Sequence, residues 1–167
     1  MALKPIIFHP NSLLRKPSIK VEKFDQELQI LVDDLVDTML ENKSMGLAAP
    51  QIGELKRVFV LNQKRILGDK TEEIKPEDIL CIINPEIAYQ KPVLDSEEGC
   101  LSILGQRGIV KRFNQVTLSA FDRENRAFSL TADGVLSIVI QHEIDHLNGI
   151  LLIDKFLSLS SDKTPLS

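Results

Sequence analysis

Between residues 25 and 41 the apolar positions recur at three- and four-residue steps. Leu28, Leu31, Val32, Leu35, Val36, Met39 and Leu40 form one stripe, and Asp33, Asp34 and Asp37 fall on the water-facing side. That spacing predicts an amphipathic helix with Asp25 as its N-cap, because a short carboxylate accepts from the first unsatisfied N–H groups. Asn42-Lys43-Ser44 ends it, and residues 46–53, small and interrupted by Pro50, read as a loop. The period then shortens. Residues 57–62 and 79–83 are apolar runs of strand length, the second stopped by Asn84-Pro85, and the polar stretch 63–78 between them reads as an exposed loop. Residues 86–94 suit an edge strand, where Pro92 is tolerated.

Residues 115–122 alternate Val116, Leu118 and Ala120 against Gln115, Thr117 and Ser119. After a polar turn at 122–125, residues 127–132 alternate again, which predicts a hairpin. The last strong element covers 133–149. There Val135, Leu136, Ile138, Val139, Ile140, Ile144 and Leu147 leave almost no polar face, as in a helix buried at the centre of a fold, and Gly149 supplies its C-terminal stop. The fold class is therefore α+β: an N-terminal helix and mostly antiparallel strands around a central buried helix. Residues 1–157 are expected to form one domain, with the Ser-rich, polar residues 158–167 as a flexible tail.

Composition narrows the function. At 167 residues and 43% hydrophobic, the chain can bury one core and shape a cleft. A net charge of −4 and a pI near 5.4 argue against nucleic acid as a main partner, since phosphate backbones require a basic footprint. No run of about eighteen apolar residues predicts a membrane span. The apolar stretch at the N-terminus is short and broken by Pro5, which is unlike a signal peptide. A cytoplasmic location and reduced thiols at Cys81 and Cys100 are the corresponding expectations.

The chemistry lies on the buried helix. Gln141, His142, Glu143 and His146 stand among Ile, Leu and Val, where an unpartnered neutral polar group costs roughly 2–7 kcal/mol. Histidines four apart on a helix share a face, with Cβ atoms about 5–6 Å apart. His142 and His146 are thus a pair of metal ligands, and Glu143 lies about 100° round the helix, close enough to act as a general base. The bland alternative, two hydrogen-bonded core histidines, is less favoured because only three histidines exist and two fall in this pattern. His9, the third, reads as structural or exposed. A catalytic site usually takes three protein ligands and keeps one position for water. Cys81, inside an apolar run, reads as a small hydrophobe, whereas Cys100 follows Gly99 in a segment of different character and is the better third ligand.

Three stretches resemble the peptide deformylase family, in the family's order and spacing: Ser44-Met45-Gly46-Leu47-Ala48-Ala49-Pro50-Gln51, Glu98-Gly99-Cys100-Leu101-Ser102 and Gln141-His142-Glu143-Ile144-Asp145-His146. The likeness runs over about residues 3–157. It implies that Cys100, His142 and His146 hold a metal, that Glu143 is the general acid/base, and that Gln51 and the backbone N–H of Leu101 form an oxyanion hole. It also implies a pocket for a thioether side chain at Met45, Val135, Ile138 and Val139, with Gly46 allowing the peptide backbone to approach. Glu98 would hydrogen-bond a ligand histidine. Arg107 and Arg112 bind peptide or pair with acids, exposed surface roles being as good a reading for both.

The substrate implied is a nascent N-formyl-methionyl polypeptide, giving formate, with transient ribosome association compatible and a monomer or weak oligomer expected. The cofactor is one divalent metal, Fe2+ first, with Zn2+ or another divalent ion also suited to a His₂Cys set. Ser44 stands where the family usually has glycine, and Leu104-Gly105 replaces its usual proline; both flank the cleft. The polar tail lacks the extended C-terminal helix of many relatives. Two competing functions are a zincin-type endopeptidase, which would cleave casein, and a non-catalytic binder, which Glu143→Ala would leave nearly unaffected.

Overall fold

The computed structural model describes residues 2–160. Helix α1 spans Gln26–Glu41, and the Leu28 N–H donates to the Asp25 carboxylate at 3.1 Å, the N-cap that the sequence predicts. Leu28, Leu31, Val32, Leu35 and Met39 are buried along one stripe. Asp34 departs from its expected exposure. The N-terminal segment lies over it, with the Ala2 N–H donating to Oδ1 at 2.7 Å and Lys4 Nζ 3.7 Å from Oδ2. A periodicity argument sees only the helix itself and misses this cover.

The end of α1 is a Schellman turn. Lys43 is left-handed (φ 51°), its N–H donates to the Leu40 carbonyl, and the Ser44 N–H donates to the Met39 carbonyl. The chain then enters β1, Gly46–Ala48, and a 3-10 turn over Ala49–Ile52, so the expected loop at 46–53 is ordered strand and turn. Strand β2 is Val58–Asn62. The polar stretch expected to be an exposed loop starts with helix α2, Gln63–Ile66, capped by the Asn62 side chain and anchored by buried Ile66.

Strands β3, Ile79–Cys100, and β4, Ile103–Phe121, form one long hairpin, followed by β5, Ala127–Asp133, and helix α3, Gly134–Leu147. The break expected at Asn84-Pro85 is absorbed as a register shift between Ile83 and Glu86. Asn84 takes φ 52°, and its side chain bonds both the N–H and the C=O of Val21 at 2.8 Å. Residues 86–94 pair with β4 alone, since β2 pairs with β3 only at 79–83, so this stretch has the open side expected of an edge, and Pro92 falls at a second shift between Gln90 and Val93. The predicted hairpin of 115–122 with 127–132 forms, Gln115 pairing with Asp133 and Phe121 with Ala127.

The antiparallel sheet runs β1-β2-β3-β4-β5, with β6, Ser158–Ser160, on β4 opposite residues 107–109. Residues 158–160, expected as part of a flexible tail, are therefore paired backbone; the remainder of that expectation, 161–167, lies outside the described residues. Phe59 and Leu61 of β2 pack with Val139, Ile140, Ile144 and Leu147 of α3, while Val58 and Val60 pack with Leu28, Leu35 and Met39 of α1. A strand buried on both faces has to be apolar throughout, which is why β2 shows no alternation. A third cluster gathers Leu14, Cys100, Ile103, Val110, Leu151 and Leu152 around the tip of the long hairpin. The α+β class with a central buried helix is the architecture found.

Candidate metal centre

Helix α3 brings the rings of His142 and His146 to 5.0 Å between centroids, on the face turned to the hairpin tip. Cys100 is the last residue of β3, and its Sγ lies 3.4 Å from His146 Nε2. One ligand atom from each of Cys100, His142 and His146 lies within 4.8 Å of the others, and all three residues are buried. Donors bound about 2.0–2.3 Å from a shared tetrahedral ion stand about 3.6 Å apart, so the Sγ–Nε2 distance suits a common metal. The donor chemistry, one sulfur and two imidazoles, suits a transition metal rather than calcium or magnesium.

Glu98 sits two residues before Cys100, and successive residues of a strand alternate faces, so both side chains project the same way. Its Oε1 is 3.1 Å from His142 Nδ1. Burial acts to raise the Glu98 carboxyl, but hydrogen bonds from Arg112 and His142 overcome that and hold it at about 2. An ionised carboxylate only accepts, so Nδ1 of His142 donates and Nε2 is left as the ligand atom. Burial lowers the His142 imidazole, yet bonds to Cys100 and Glu98 outweigh it and raise the group, so a metal binding there would displace a proton from Nε2. His146 goes the other way, held well below the ordinary histidine value by burial first, then by His142 and Arg112.

Behind Glu98 is Arg112. Contrary to the exposed role considered for it, Arg112 is 2% exposed. Its Nε and Nη2 grip the two Glu98 oxygens at 2.8 and 2.7 Å, and Nη1 reaches Asp145 Oδ2 at 2.7 Å. These bonds raise the guanidinium further against the opposing pull of burial. Lys155 Nζ, 3.0 Å from Asp145, closes the chain at the surface. Buried ions are tolerable when each is so paired. Arg107 lies at the hairpin's side, donating to the Glu97 carbonyl at 3.0 Å.

The opposite wall is neutral. The 3-10 turn after β1 carries Gln51, which is wholly buried; its Oε1 accepts from the Ala48 N–H at 3.0 Å. That bond fixes the amide's orientation and aims Nε2 at Ser102 Oγ (3.2 Å) and Cys100 Sγ (3.8 Å). Leu101 directly follows Cys100 at the hairpin tip. Glu143 is fully buried against Gly46, where an added Cβ would sit 3.0 Å from its Oε1 and 2.9 Å from Leu61 Cδ2. A side chain there would have to push Leu61 and Glu143 aside.

Of the expected pocket residues, Met45 and Ile138 are half-buried and Val135 is 46% exposed, but Val139 is sealed in the core beneath them. His9 is exposed. Cys81 is half-buried with its thiol pushed up to about 12 by desolvation, in keeping with a small apolar residue. Ser102 and Asp145 belong to the site's supports although no role was read for them in the sequence. Asp145 had one available signal, its place inside the His142–His146 turn.

The profile of the family described as "Polypeptide deformylase" matches residues 3–162. The chain belongs to the polypeptide deformylase family. Peptide deformylase of Helicobacter hepaticus is 42% identical over 163 residues, 98% of this chain and 88% of that protein. The same figures for peptide deformylase of Caldicellulosiruptor bescii are 42% and 163 residues, with 98% and 91% covered. Among solved structures, the peptide deformylase from Legionella pneumophila superposes with a TM-score of 0.84 at 41% identity, over 93% of this chain and 86% of that one. That from Thermotoga maritima gives 0.83 at 29% identity, over 93% and 99%. As a deformylase, the chain has a divalent metal as its expected cofactor, in keeping with the Cys100, His142 and His146 cluster. No helix among the described residues is long and apolar enough to cross a membrane.

Proposed function

We propose that this deformylase removes the formyl group from the N-terminal methionine of newly made polypeptides, releasing formate, with Cys100, His142 and His146 as its metal ligands. The observation that supports this is the convergence of those three buried donors with the aimed amide of Gln51, with Glu143, also buried, next to His142 in the chain. When bound, a divalent cation supplies Lewis acidity and brings water within reach of ionisation near neutral pH. Fe2+ is the first candidate and Zn2+ the second, both compatible with one sulfur and two nitrogen donors.

Glu143 takes the proton from the attacking water and returns it to the amine nitrogen as the bond to the formyl carbon breaks. The oxygen that gains charge on that carbon is met by Gln51 Nε2–H and the Leu101 N–H, both neutral donors. Met45, Val135 and Ile138 offer apolar surface for the methionine side chain, with Val139 supporting them from the core. Gly46 lets the peptide backbone approach. Glu98 keeps His142 in the correct tautomer. Residues 1–157, extended to 160 by β6, act as one catalytic unit, working in the cytoplasm on nascent chains with transient ribosome association, as a monomer or weak oligomer.

The test is formate release from a formyl-Met peptide by protein purified without oxygen and loaded separately with Fe2+ or Zn2+. Release by both, faster with Fe2+, is the expected result; protein with full metal content that released no formate would refute the assignment.

A further inference from the structure

Ser44 carries a buried hydroxyl that the chemistry above does not use. Its backbone is fixed by the Schellman turn of α1, with the N–H donating to the Met39 carbonyl at 3.2 Å. The residue is 1% exposed, and its Oγ donates to the Gly46 carbonyl at 2.9 Å. Gly46 faces Leu61 in the β1–β2 pair, next to the bonded pair in which the Asn62 N–H donates to the Met45 carbonyl at 2.8 Å. Bonded and non-bonded pairs alternate along an antiparallel ladder, so the N–H and C=O of Gly46 point away from β2. β1 is the terminal strand of the sheet order, so these groups look off its edge, where an extended peptide pairs by strand addition. The same residue abuts Glu143. The side-chain bond to this carbonyl comes from Ser44.

We propose that Ser44 is a positioning residue: its hydroxyl orients the Gly46 carbonyl to receive the main chain of the formyl peptide beside Glu143, and so ties the end of α1 to the reacting edge. A carbonyl oxygen has two lone pairs, so the Ser44 bond leaves one direction for the peptide. The identity of the peptide rests on the deformylase reading; the geometry of the edge does not.

The test compares Ser44→Ala, and Ser44→Gly as a second variant, with Thr38→Val. Thr38 is also 1% exposed on α1, and its Oγ1 accepts from the Lys4 N–H at 3.0 Å, away from the sheet edge. Removing either hydroxyl lowers the denaturant midpoint by a comparable amount. In metal-free protein, both Ser44 variants are expected to speed amide exchange at residues 45–47 roughly ten-fold relative to β2 and α1, an opening that Thr38→Val does not cause. In loaded protein, the Ser44 variants raise KM about five-fold with kcat within about two-fold, the scale of one neutral hydrogen bond to bound peptide. Equal exchange at 45–47 in all variants, or a fall in kcat with KM unchanged, overturns the proposal. If the parent protein releases no formate while the exchange difference persists, the deformylase reading fails and the positioning of the edge by Ser44 stands.

Discussion

On the α3 side of the site, His142 is held through Glu98, Arg112, Asp145 and Lys155, a run of alternating charges that begins in the core and ends at the surface. On the β1 side, Gly46, Ala48 and Gln51 are held by amides and by the hydroxyls of Ser44 and Ser102, which carry no net charge. The difference follows from what each wall must do. A ring that binds a cation has to keep one tautomer and one orientation, and a carboxylate pinned by a guanidinium imposes both. In the proposed mechanism the neutral wall meets an oxygen gaining charge, which calls for donors fixed in advance, and a neutral amide supplies them without an ion to desolvate.

The comparison can be broken from either side. His146→Ala removes a ligand and is expected to abolish stoichiometric metal and all formate release above background, measured by elemental analysis and a formate assay; retained metal would show that the cluster is misassigned. Glu143→Gln should keep the metal and lose about 10²–10⁴ in kcat, since it removes general acid–base transfer and nothing that binds the ion. Gln51→Ala is expected to cost about 10²–10³ in kcat with metal content intact, the weight of one oxyanion donor. If it instead depleted metal, the neutral wall would be part of the ligand support. Glu98→Gln acts oppositely, weakening metal affinity about 10–100-fold in a chelator competition. Lys155→Ala, at the solvent end, should change unfolding free energy by less than about 1 kcal/mol and leave metal affinity unaltered, because Arg112 still holds Asp145.

How much of this could be read from the sequence depended on how local each signal was. The helix periods, the His142–His146 spacing and the Asp25 cap are local and appear as expected. The pairing of Glu98 with a ligand histidine follows from its two-residue offset from Cys100 once the family likeness places Cys100 in the site. Arg112 was not legible. It lies opposite Leu94, and its reach to Glu98 depends on the long hairpin and on register shifts no local pattern announces. Residues 103–114 mix Gln106, Arg107, Lys111 and Arg112 with apolar positions, hiding the first half of β4. Asp34 reads as solvated for the same reason, since its cover comes from Ala2 and Lys4, thirty or more positions away in the chain.

Cys100 is packed with Leu14 from an early segment and with Leu151 and Leu152 from the segment after α3, beside Ile103 and Val110 at the hairpin tip. The thiol therefore reports on the docking of regions that never touch the reacting atoms. Leu14→Ala leaves a cavity under the hairpin tip, and metal dissociation is expected to quicken before any loss of helix is visible by circular dichroism. On that expectation, the off-rate of the ion would gauge how firmly distant stretches of chain are seated.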